Sequence, residues 1–136
     1  MSLTNCSCRL SCTVASIVAA VIWGVVAAFV QISGSITVTT VFLWTALAIA
    51  VLSLWNLSIT AALVRRTGVS GCCAAVSGLL TGILGTVLFS TILLAVGIVA
   101  TSVITAILVG ILVFFLTLIF GNSACYIRCL TACDNT

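Results

Sequence analysis

CCAAVSGLLTGILGTVLFSTILLAVGIVATSVITAILVGILVFFLTLIF, residues 72–120, runs for 49 positions without a charged residue or a proline. A helix rises about 1.5 Å per residue, and a hydrocarbon core about 30 Å thick is crossed by about 20 apolar residues. The stretch is too long for one crossing and right for two, with a tight turn near 97–102, where Gly97, Thr101 and Ser102 cluster. It therefore predicts a helical hairpin in a membrane and supplies a ruler for the rest of the chain.

Working outward, the same ruler finds two more crossings. Thr13–Ile32 is an apolar run of crossing length, closed by Ser33-Gly34-Ser35. Gly tolerates the positive φ of a sharp reversal, and Ser bonds local backbone. The next run covers about 37–64 and stops at Arg65-Arg66-Thr67-Gly68. It is rich in β-branched residues, yet an isolated strand in lipid would leave its backbone unpaired, so it too is read as helical. The expectation is an all-α, integral membrane four-helix bundle, with helices at about 13–32, 37–64, 74–96 and 102–120. Cysteine-rich segments fill 1–12, 68–73 and 121–136. A β-barrel would show short alternating segments with frequent turns, and these runs are long and evenly apolar.

Composition agrees. Of 136 residues, 64% are hydrophobic and 4% charged, and mean hydropathy is +1.56. Soluble domains carry about 25% charge, so this surface needs lipid. The length fits one bundle with no separate soluble domain. Arg9 before an apolar run resembles a secretory leader, but the run exceeds the 7–15 apolar residues of a leader core, and the segment is read as retained.

The charged residues are Arg9, Arg65, Arg66, Arg128 and Asp134, with no histidine. This excludes a nucleic-acid footprint and most acid–base catalysis, so the chain is read as a non-enzyme. A transporter usually couples through an intramembrane ionisable group, and no crossing holds one. Four crossings put both termini and the 68–73 loop on one side. Every arginine belongs to that side, so the positive-inside rule assigns it to the cytoplasm and the chain to the cell membrane.

Small residues mark where helices meet in lipid, because close backbone approach replaces the hydrophobic drive. Ser16, Ala20, Gly24 and Ala28 form a stripe on the first helix, and Gly78, Gly82 and Gly85 one on the third. Ser102, Ala106 and Gly110 form one on the fourth. They serve internal packing or, as the competing reading, a homo-oligomer. Cys12 and Cys73, Ser16 and Ser77, and Gly24 and Gly85 match at an offset of 61, which suggests two duplicated helical hairpins. The intramembrane polar candidates are Gln31 and Asn56. Asn56 is expected to bond a neighbouring helix, and Trp23 and Trp44 to pack.

The eight cysteines are the most specific feature. Cys6, Cys8 and Cys12 precede the first helix, Cys72 and Cys73 open the third, and Cys125, Cys129 and Cys133 follow the fourth. All fall on the arginine side and none within a crossing. Cys125, Cys129 and Cys133 share one face if helical, as do Cys8 and Cys12. One reading is disulfide stapling or cross-linking, which a reducing cytosol opposes. The alternative is a soft-metal binder or carrier with zinc, copper or an iron–sulfur cluster on thiolates. Unbonded or acylated interfacial thiols are a third. The layout of cysteine-rich termini, a central cysteine pair and four uncharged helices resembles small cysteine-rich membrane proteins of spore-forming bacteria. That resemblance implies a four-helix fold and carries over no activity and no residue roles.

Overall fold

The computed structural model describes residues 4–35, 38–67, 73–96 and 102–134, with side chains over 12–35, 38–59, 76–96 and 102–128. The described residues form four helices and no strand: α1 (Thr4–Ile32), α2 (Thr40–Thr67), α3 (Cys73–Val96) and α4 (Val103–Asp134). Each contains an apolar span of membrane-crossing length.

The element ends follow from local bonding. Gly34 takes φ 69° after α1, while the Ser33 hydroxyl donates to the Val30 carbonyl at 2.8 Å. The second helix starts later than the apolar run because the Thr39 side chain caps it, accepting from the Phe42 N–H at 3.4 Å, the usual N-cap role of Thr. The larger departures lie at the cysteine-rich ends. Residues 4–12 extend α1, and 121–134 extend α4 without a break at Gly121-Asn122-Ser123. A helix that leaves lipid need not stop there. The next turns add one backbone bond per residue already paid for by nucleation.

Several threonines inside the spans bond backward to their own helix. Thr45 donates to Val41 at 2.8 Å, Thr86 to Gly82 at 2.8 Å and Thr117 to Val113 at 2.8 Å. This satisfies hydroxyls in a solvent that offers none.

The hub of the bundle is α4. It touches all three other helices: α1 and α3 pack along it, and α2 packs mainly on α3. The α4 span is also the most buried, 44% against 17% for the α1 span. Leu43 and Ala46 of α2, Leu93 of α3, and Val109, Leu112 and Leu116 of α4 form one core cluster. Ala50, Leu57, Leu79, Ile83 and Ile119 form a second. Among the described residues α1 and α2 do not touch, so the bundle is open on that side.

Two seams bring backbones close. A Cβ on Gly24 would stand 2.9 Å from the Gly110 carbonyl oxygen, and one on Gly110 would stand 2.8 Å from that of Gly24. Along α3, a Cβ on Gly82 would stand 3.0 Å from Ile119, and Gly85 faces the Phe115 ring. Gly24 and Gly85, matched at the 61-residue offset, thus both face α4. The hairpins themselves do not pack alike, since α3 touches α4 whereas α1 does not touch α2.

Candidate functional site at the cysteine end

Measured back from Ile32, about 20 residues of α1 fill the hydrocarbon, and the twentieth is Thr13. Measured forward from Val103, about 20 residues of α4 end at Asn122. Cys12 and Cys125 therefore lie at one membrane boundary on antiparallel neighbours. Their sulfurs stand at disulfide distance, with Cα atoms 6.1 Å apart at a sequence separation of 113. Cys125 is buried beside Tyr126, and Cys12 and Val76 pack against them.

One turn deeper, Ser16 and Gly121 interlock. The space a Cβ would take on Gly121 is held by Ser16. Ser16 is buried and its Oγ has no partner. Across the other seam, Asn122 is fully buried and donates from Nδ2 to the Leu118 carbonyl at 2.9 Å. Its Oδ1 is unpartnered and lies 2.7 Å from where a Gly78 Cβ would be. The cysteine end thus rests on a layer of tightly fitted small and polar groups.

The remaining sites are distributed as follows. Cys72 lies outside the described residues, and of Cys6, Cys8, Cys73, Cys129 and Cys133 only the helical backbone is described. Ala20 and Ala106 are completely buried, and Ala28 lies against Gly110. Gln31 is 3% exposed at the opposite end of the bundle. Asn56 is exposed and donates to the Leu52 carbonyl of its own helix at 2.9 Å. Trp23 and Trp44 differ from expectation, with 59% and 63% exposure. Their large rings face outward because the seams admit only small residues.

Asn122 was not singled out by sequence reasoning. Its signal is the size of its neighbours: Gly121 and Ser123 mark a face that can approach another helix, whereas Trp55 and Leu57 flank Asn56.

Chemically, the arrangement offers a covalent tie between the first and last helices. Among the described residues no three cysteine or acidic side chains gather as a metal-ligand group. Comparison with protein families, curated proteins and solved structures found no match to this chain.

Proposed function

We propose that the chain is a non-enzymatic, structural multi-pass membrane protein whose cysteine end is a staple that locks the outermost helix α1 onto the hub helix α4. The observation that carries this is the Cys12–Cys125 pair, at a Cα separation of 6.1 Å on helices 113 residues apart in sequence. The reading extends along the helices. Cys8 lies one turn beyond Cys12 on α1, and Cys129 one turn beyond Cys125 on the antiparallel α4. Backbone register therefore puts the two positions at the same level, where a second rung of the proposed staple would fall.

The arginines assign the stapled end to the cytoplasm, where disulfides are normally reduced. Exchange needs a thiolate to reach a sulfur. Cys125 is 8% exposed and packed beside Tyr126, while Cys12 is half-buried, so the Cys125 sulfur is sheltered from that attack and exchange is left to the Cys12 side.

Alkylation of unreduced membranes, followed by peptide mass analysis, tests the proposal. The expected products are a Cys12–Cys125 cross-linked peptide and a Cys8–Cys129 one. Eight alkylated thiols would overturn the staple, and bound zinc, copper or iron recovered with them would establish a thiolate metal site in its place.

A further inference from the structure

At the end of the bundle away from the cysteines, α1 and α2 part and leave a cleft of about 410 Å³. Val26 and Val30 of α1, Phe42 of α2, and Val109 and Val113 of α4 line it. The volume falls in the roughly 300–1,000 Å³ range of small-molecule sites. Because α1 and α2 do not touch, its mouth lies between two lipid-facing helices. Two polar side chains interrupt this apolar wall, Thr39, whose Oγ1 already accepts from the Phe42 N–H, and Gln31. Gln31 lines the cleft and is 3% exposed. Its Nε2 is buried with no hydrogen-bond partner. An amide donor left unpaired in an apolar place costs about 1–3 kcal/mol, so the site is complete only when an acceptor arrives. The terminal torsion of a glutamine side chain is soft, and turning it presents the N–H to the cleft at little cost.

Depth and charge say what that acceptor is. Gln31 is one residue from the end of the Cys12–Ile32 span, where hydrocarbon gives way to the polar interface. A helical side chain leans toward its own N-terminus, which here points the amide back toward the acyl region. This is the level of the ester carbonyls of membrane glycerolipids. All the charged residues of the chain lie at the opposite end, so nothing in the cleft pairs with an ionised carboxylate or phosphate. The occupant is neutral where it meets the protein, an ester rather than a free fatty acid.

We propose that this cleft seats one acyl chain of a diacyl glycerolipid, with its ester carbonyl accepting a hydrogen bond from the Gln31 Nε2–H. The site is independent of the cysteine staple.

Trp23 lines the cleft and reports on it. The full chain carrying Trp44→Phe and Trp55→Phe is placed in nanodiscs of dialkyl-ether phosphatidylcholine, titrated with ester phosphatidylcholine brominated on its acyl chains. Trp23 quenching should exceed the bulk fraction of brominated lipid and saturate. A variant retaining only Trp55, which is exposed on α2, should track the bulk fraction. Gln31→Leu should weaken the preference by about two- to ten-fold, the worth of one net hydrogen bond. Ala27→Phe, which fills the cleft from α1, should abolish saturation while circular dichroism remains unchanged. The proposal is overturned if brominated ether lipid quenches as well as the ester, or if Gln31→Leu leaves the preference intact. It is also overturned if oleate displaces the ester lipid at lower concentration, or if Trp23 becomes less quenched as protein concentration rises, which would mean a second copy fills the cleft.

Discussion

Asn122 illustrates how a polar residue is accommodated where helices pack tightly near the cysteine end of the bundle. Its amide nitrogen is satisfied by the Leu118 carbonyl, and its oxygen lies against α3 where Gly78 has no side chain. Gly78 is therefore a consequence of Asn122. Added to Gly78, a Cβ would come within 2.7–2.8 Å of three side-chain atoms of Asn122. Gly78→Ala should destabilise the protein by about 1–3 kcal/mol, the usual cost of overpacking, measured as the shift in an SDS-driven unfolding curve. Asn122→Ala removes the obstruction, so Gly78→Ala should cost much less in that background, by the non-additivity expected of touching residues. Strictly additive effects would mean that the two do not share this space. On the proposed staple, Cys12→Ser opens a bond between residues 113 positions apart. In a chain free in water, closing a loop of about 100 residues is worth about 4.7 kcal/mol on the entropic account. In lipid the unfolded reference keeps its helices inserted, which already limits the freedom of their ends. Cys12→Ser should therefore cost less, about 2 kcal/mol, within the usual range for a disulfide, in the same SDS assay.

Between elements, the α1–α4 seam depends on Gly24 and Gly110 touching backbone to backbone. Any larger residue meets a carbonyl that cannot rotate away. Gly24→Ile should push α1 off α4, and because the staple holds the same pair, its damage should be greater after reduction than before. Comparing SDS unfolding of oxidised and reduced Gly24→Ile against the unsubstituted chain checks this. Equal damage in both states would separate the staple from the seam. The sequence makes this element legible only in part. The uncharged run at 72–120 predicts two helices, and α3 and α4 stand there. The small stripes show that Gly24 and Gly110 suit close approach. They do not show that one meets the other, because pairing depends on steric match across helices distant in sequence. The helical ends were hidden for a different reason. Polar composition at 1–12 and 121–136 reads as loop, although the four-residue spacing of Cys125, Cys129 and Cys133 already had a helical period. Gln31 was legible as a polar residue near a span end. The cleft that gives it a role exists only because α1 and α2 part.

For the molecule as a whole, the asymmetry of ends is the governing fact. Four crossings of membrane length would return the outer ends of α1 and α4 to one side, and on that reading the same side carries every arginine, every cysteine and the only acidic residue of the sequence. The opposite end offers Ser33, Gly34 and Ser35 and no charge. Arginine flanking short loops resists translocation, and carboxylates contribute little to orientation, so Asp134 does not offset the bias. The argument from redox chemistry runs the other way, since an oxidising compartment would favour the same cysteines bonded. Labelling intact cells decides between them. Ser35 is exposed in the α1–α2 turn, so Ser35→Cys should react with a membrane-impermeant maleimide added outside. Cys6 and Cys133, which stand outside the two proposed rungs, should remain unlabelled from that side even after treatment with an impermeant reductant, and become labelled once the membrane is opened. Cytoplasmic placement is then compatible with the staple only if burial around Cys125 protects it, so the cross-linked peptide should also survive permeabilisation in millimolar glutathione and disappear after SDS denaturation in the same buffer. If the terminal cysteines are instead labelled from outside after reduction, the arginines have been outweighed and the staple needs no protection beyond its compartment.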